Sequence, residues 1–123
     1  MMKKILVVDD EPNSRILVSL ILTNAGFATA VAENGFDAFN KICVQARQNA
    51  QFDLILLDNM MPEMSGLELI DELHNNDFNI PTLVMSAFFN KETVQMLKER
   101  GCEDYLSKPF LQKDLVSRVT ALV

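Results

Sequence analysis

Five short apolar runs alternating with longer segments of helical spacing predict an α/β domain. The expected architecture is a mostly parallel, doubly wound five-stranded sheet with five helices on its two faces. Two runs, at 5–8 and 54–57, are apolar without interruption, as strands covered on both faces must be. The chain has 123 residues, enough for one domain that buries roughly two-thirds of its unfolded surface without disulfide or metal staples.

The elements follow in order. ILVV (5–8) is the first strand. Pro12 suits a first helical turn, and the segment Asn13 to Ala25 is helical, with a polar stripe at Arg15, Ser19 and Thr23. Gly26 then supplies the left-handed turn that ends a helix. ATAVA (28–32) is the second strand. Ala38, Phe39, Ile42, Cys43 and Ala46 share one face of a second helix. DLILL (53–57) is the third strand, and Gly66 permits close entry into the helix that follows. His74, beside Asn75 and Asn76, is expected on the solvated side of that third helix. PTLVM (81–85) is the fourth strand. Asn90 is placed to cap a helix that begins near Lys91, and Gly101 to end it. DYLS (104–107) is the fifth strand, and Leu111, Leu115, Val119 and Leu122 form one face of a last helix.

Bulk properties narrow the function. The residues are 49% hydrophobic and 23% charged, an ordinary globular balance. The net charge of −6 disfavours direct binding to nucleic acid or to an anionic membrane. Apolar runs are far too short to span a bilayer. The start, MMKKILVVDDE, turns acidic too early for a signal peptide, so a cytoplasmic location is expected. Cys43 and Cys102 have neither metal-ligand nor disulfide-framework spacing and read as two buried free thiols. No repeat or linker is visible, and residues 1–123 are expected to form a single domain, with any effector domain lying outside this chain.

In an open α/β sheet, ligands bind beyond the carboxyl ends of the strands. The first strand ends in Asp9 and Asp10, the third in Asp58, the fourth in Ser86 and Ala87, and the fifth in Lys108 before Pro109. Parallel strands bring these residues to one edge. Two carboxylates ~5 Å apart at an effective dielectric of ~20 repel by roughly 3 kcal/mol, so three close pairs would cost roughly 10 kcal/mol. Either the acids are solvated and apart, or cations compensate. Lys108 supplies one positive charge and a divalent cation would supply the rest. Oxygen-only ligands select Mg²⁺, and the lack of a nearby His or Cys set disfavours zinc. The bland alternative is a solvated acidic turn that favours the start of the first helix. The turn DDEPNS carries no glycine loop for a phosphate, no GxSxG elbow is present, and a His-dependent triad is disfavoured because His74 is the only histidine.

VVDDE (7–11), LLDNMMPEMSG (56–66), MSA (85–87) and YLSKPF (105–110), in this order and spacing, resemble the receiver domain of bacterial two-component response regulators. The resemblance covers nearly the whole chain. It implies the flavodoxin-like strand order 2-1-3-4-5, which periodicity alone does not supply. It implies that Asp58 is the phosphoacceptor, taking a phosphoryl group from a phosphohistidine of a sensor histidine kinase or phosphotransfer protein. Asp10, Asp58 and the backbone carbonyl of Met60 would hold Mg²⁺, with Asp9 acting chiefly through a metal-bound water. Lys108 and the backbone of Ala87 would contact the phosphoryl oxygens, and the peptide before Pro109 would be cis. Ser86 and Tyr105 match the switch pair: the Ser86 hydroxyl would move to the phosphoryl group, and Tyr105 would turn inward. The surface of the fourth helix, fifth strand and fifth helix would carry the signal. Its mixed charges (Lys91, Glu92, Lys98, Glu99, Arg100, Asp104, Lys113, Asp114 and Arg118) suit either a homodimer interface or a solvated face.

Some positions depart from the family's commonest pattern. Ser86 stands where threonine is frequent. Phe88 is bulky and apolar, and Met60 offers no polar side chain, which points to restricted hydrolytic water and a longer phosphoryl lifetime. The second helical segment, GFDAFNKICVQARQNAQ, reads as about one turn longer than usual. Two other functions share these residues. A haloacid-dehalogenase-like phosphatase would want a second aspartate at position 60, where Met60 stands. A pseudo-receiver binding module would lack an acid or the lysine, and none is missing. The expected function is therefore a phosphoacceptor switch rather than an enzyme acting on other substrates.

Overall fold

The computed structural model describes residues 2–58 and 66–123. The strands are β1 (Lys4–Val8), β2 (Ala28–Ala32), β3 (Leu54–Asp58), β4 (Thr82–Ser86) and β5 (Tyr105–Ser107). The helices are α1 (Pro12–Asn24), α2 (Gly35–Arg47), α3 (Gly66–Asn75), α4 (Lys91–Glu99) and α5 (Gln112–Leu122). All strand pairs are parallel, in the order β2-β1-β3-β4-β5. Strand and helix therefore alternate along the chain as periodicity predicts, and the two uninterrupted apolar runs occupy interior positions of the sheet.

Successive side chains of a strand point to opposite faces, so β1, β3 and β4 feed two cores. Leu6, Val8, Ile55, Leu57 and Val84 meet Ala38 and Ile42 of α2, Leu69, Ile70 and Leu73 of α3, and Leu97 of α4. Ile5, Val7, Leu54, Leu56, Leu83 and Met85 meet Val18, Ile21 and Leu22 of α1 and Leu115 and Val119 of α5. Each fully buried aliphatic side chain stabilises the fold by about 1.5–3 kcal/mol, before the entropy of ordering is counted.

Helix starts are set by local chemistry. Glu11 caps α1, accepting from the backbone N–H groups of Asn13 (3.2 Å) and Ser14 (2.7 Å), and Pro12 occupies the first turn as expected. Asn34 caps α2 through the N–H of Asp37 at 2.8 Å, and Asn90 caps α4 through the N–H of Thr93 at 2.7 Å. Gly26 and Gly101 leave α1 and α4 with φ of 99° and 80°, the left-handed region that glycine enters without a Cβ clash. Asn49 and Asp77 do the same after α2 and α3, at φ 53° and 59°.

Four expectations need correction. Leu111 is not part of the buried stripe of α5: it is the residue before the first turn and is exposed, because the chain is still extended there. Ala46 lies at the solvated edge of the α2 face, and Cys43 is only half-buried, so just Cys102 is a buried thiol. The periodicity that placed them reports helix phase, not how far the sheet extends beneath the helix. The segment 35–51 does not form a longer second helix: α2 ends at Arg47 after 13 residues, and residues 48–51 lie beyond it.

Candidate functional site

Strand register assembles the site. Val8 of β1 lies beside Leu57 of β3, so the next residues, Asp9 and Asp58, emerge side by side. Asp58 lies beside Met85 of β4, which puts Ser86 one step further out on the neighbouring strand. Ser86 pairs with Ser107, and Lys108 follows directly. Adjacent strands are about 4.8 Å apart, so the sequence-predicted convergence is a consequence of parallel pairing.

One carboxylate oxygen from each of Asp9, Asp10 and Asp58 lies within 4.8 Å of the others. Asp9 is fully buried and Asp58 is 6% exposed, whereas Asp10 faces solvent. The ammonium of Lys108 stands 3.4 Å from Oδ2 of Asp9 and 3.4 Å from Oδ2 of Asp58. These separations exceed the ~2.8 Å of a tight charge-assisted hydrogen bond, so Lys108 is shared rather than committed. Its backbone N–H donates to the Ser86 carbonyl at 2.8 Å, and the Lys108–Pro109 peptide is cis.

Asp9 is held on every side. Its Oδ1 accepts from the Glu11 N–H at 3.0 Å and its Oδ2 from the Ser14 hydroxyl at 2.7 Å. Its backbone N–H donates to the Ala32 carbonyl, and its own carbonyl accepts from Nη1 of Arg15 at 2.8 Å. Burial alone raises the Asp9 carboxyl pKa. The Glu11 N–H, the Ser14 hydroxyl and the Lys108 charge more than offset that, and hold it below the ordinary carboxylate value.

The oxygen-only donor set fits Mg²⁺. Three carboxylates within reach of one small ion, with a solvent-facing member to leave room for water, match its coordination habits. The third acid of the first turn, Glu11, is spent on capping α1 and does not join them. Met60 and Pro62 lie outside the described residues, and with them the expected carbonyl ligand.

Ser86 is fully buried, and its hydroxyl is turned to its own loop: it donates to the Phe88 carbonyl at 2.9 Å and accepts from the Phe88 N–H at 3.1 Å. Ala87 and Phe88 are exposed, Phe88 by 71%. Tyr105 is half-buried. Its hydroxyl donates to the Cys102 carbonyl, and its ring packs at a tilt on Phe89 with centroids 5.5 Å apart. Burial raises its phenol pKa. Beside the acids lies an open, mainly apolar groove of about 400 Å³, lined by Ser14, Leu17, Val18, Ala87, Lys108, Pro109 and Phe110.

Sequence reasoning found the acids, the hydroxyl and the lysine, but missed Ser14 and Arg15 as partners of Asp9. Both lie in the first turns of α1, where sequence reports only a helix start. Arg100, counted among the surface charges, is instead bonded to Asp71 of α3, Nε to Oδ1 at 2.8 Å and Nη2 to Oδ2 at 3.3 Å.

Fold and site together define a flavodoxin-like domain whose carboxyl edge brings three carboxylates together beside one lysine. Comparison with known proteins is more specific. The model of the response regulator receiver domain matches residues 5–120, and the chain belongs to that family, the receivers of two-component signal transduction. It is 36% identical over 121 residues to the DNA-binding response regulator MtrA of Mycolicibacterium smegmatis, covering 98% of this chain and 50% of that protein. The chain thus spans about half the length of the curated relatives it matches. Its structure is similar to the chemotaxis protein CheY4 of Vibrio cholerae, with a TM-score of 0.88, 30% identity and full coverage of both chains. It is also similar to a BeF3-activated DrrB receiver domain, with a TM-score of 0.81 and 30% identity, covering 99% of this chain and 97% of that one.

Proposed function

We propose that this receiver accepts a phosphoryl group on Asp58 from a phosphohistidine of a sensor histidine kinase or phosphotransfer protein. The observation that carries the reading is the Lys108 ammonium poised 3.4 Å from both Asp9 and Asp58, beside three converging carboxylates. An Asp58 carboxylate oxygen attacks phosphorus. The new O–P bond forms as the P–N bond breaks, and the leaving imidazole nitrogen keeps the electron pair. The transition state is loose, so the protein's part is positioning and charge neutralisation.

Asp10 and Asp58, with the Met60 carbonyl, would hold Mg²⁺, and Asp9 would act through a water. The bound ion supplies charge neutralisation for the phosphoryl oxygens. Lys108 and the Ala87 backbone bind those oxygens. The Ser86 hydroxyl leaves the Phe88 carbonyl to join them, and Tyr105 leaves its present partner to turn inward. This reshapes the surface of α4, β5 and α5. Residues 1–123 act as one switching unit in the cytoplasm rather than as an enzyme on other substrates. No helix among the described residues is long and apolar enough to cross a membrane. A relative such as MtrA is DNA-binding as a whole protein, and an effector beyond this domain is the corresponding proposal here.

Incubation of the chain with Mg²⁺ and acetyl phosphate, followed by intact-mass spectrometry, tests the reading. One added phosphoryl group is expected in the wild type and none in Asp58→Asn. An adduct that survives in Asp58→Asn, or none in the wild type, would overturn it.

A further inference from the structure

We propose that Ser14 is a positioning residue for transfer to Asp58, acting through Asp9 and Lys108; this rests on the phosphoacceptor reading above. Oδ2 of Asp9 has two donors, the Ser14 hydroxyl at 2.7 Å and the Lys108 ammonium at 3.4 Å. The short bond belongs to Ser14. Oδ1 is held by the Glu11 N–H, and the Asp9 backbone by Ala32 and Arg15, so the carboxylate cannot swing away. A fully buried carboxylate demands compensation for every oxygen. Because Ser14 meets that demand, Lys108 is left equidistant, 3.4 Å from Asp9 and 3.4 Å from Asp58.

Removing the hydroxyl changes the balance. Oδ2 of Asp9 keeps its charge and its burial but loses its short donor. The Lys108 side chain is 24% exposed, and only its backbone is pinned, to the Ser86 carbonyl. Its ammonium closes on Asp9 and withdraws from Asp58, where the phosphoryl group needs it. Ser14 thus keeps the lysine available without touching the phosphoryl group itself.

The test uses the full chain as wild type, Ser14→Ala, Ser14→Thr, Lys108→Ala and the Ser14→Ala/Lys108→Ala double variant. NMR of the Lys108 ε-methylene, without metal or phosphodonor, is expected to shift in Ser14→Ala and return in Ser14→Thr. The rate of adduct formation from acetyl phosphate at saturating Mg²⁺ is expected to fall about tenfold or more in Ser14→Ala, the kinetic equivalent of one lost charge-assisted hydrogen bond. Threonine should restore it, and Ser14→Ala should add nothing in the Lys108→Ala background. An unshifted Lys108 signal, an unchanged saturating rate, failure of threonine to rescue, or additive losses in the double variant would each overturn the proposal. A wild type that forms no adduct sinks the phosphoacceptor reading instead, and the Lys108 signal still decides the role of Ser14.

Discussion

Ser86 makes the switch question concrete at the scale of single residues. Its hydroxyl is committed to the Phe88 backbone on both sides, so joining a phosphoryl group means exchanging two weak local bonds for one charged partner. Phe88 itself extends into solvent next to that loop. With Met60, it motivates the hypothesis that hydrolytic water is restricted at Asp58. Phe88→Glu and Met60→Asn are each expected to speed loss of the phosphoryl group. Unchanged dephosphorylation rates in both variants would remove these two residues from any tuning role. The cysteines offer a separate check. Burial first, then the nearby Asp104 charge, pushes the Cys102 thiol above its ordinary 9.0, against a smaller opposing effect of Arg100. A thiol raised in this way leaves stability intact below its unfolded pKa, and the contribution is lost as pH rises through the folded value. The wild type should therefore lose stability relative to Cys102→Ala only above about pH 9. At neutral pH a thiol reagent should modify half-buried Cys43 well before Cys102. Equal labelling rates, or a pH-independent stability difference, would show that burial does not govern this thiol.

Among the helices, α4 is the most sparsely anchored. Leu97 is its only buried residue, although Asn90 caps its start and Arg100 ties its end to Asp71 of α3. The Arg100–Asp71 pair is bidentate, but Asp71 is 48% exposed, so it contributes under about 1 kcal/mol. Packing of Leu97 is the dominant anchor. Leu97→Ala should cost about 2–5 kcal/mol in denaturant unfolding. Asp71→Asn should cost under about 1 kcal/mol. The reverse ranking would mean that the ion pair, not the core, holds α4. A helix held through one buried side chain is also one that a rearrangement at Ser86 and Tyr105 can move at low cost. That links its packing to the proposed output.

For the whole molecule, the net charge of −6 and the acid cluster mean that the proposed cation binding and phosphorylation would alter the field of the entire protein as well as the site. The surface of α4, β5 and α5 carries exposed Lys91, Glu92, Lys98, Glu99, Lys113 and Asp114. Arg100 is withdrawn from that set by its bond to Asp71. Our proposal is that the remaining charges pair across a homodimer once Asp58 is phosphorylated. Sedimentation of the chain with Mg²⁺ and beryllofluoride should then show a dimer that high salt dissociates. A monomer under low and high salt alike would assign these charges to solvation alone.

The alternation of apolar runs with helical periodicity was sufficient to name the architecture, because strand and helix bury their side chains with different periods. The acids at strand ends were legible for a related reason. Parallel strands share one carboxyl edge, so Asp9, Asp58, Ser86 and Lys108 had to approach one another once the sheet was accepted. Strand order was legible only through likeness to a family, since periodicity does not say which strand neighbours which. Tertiary structure alone decided the rest. It buried Asp9 fully and left Asp10 in solvent, although the two are adjacent in sequence. It set Ser14 and Arg15 around Asp9, spent Glu11 on a helix cap, and paired Arg100 with a residue 29 positions away. Those outcomes depend on where α1 and α4 lie over the sheet and how their side chains turn there. That is a matter of packing in three dimensions rather than of spacing along the chain.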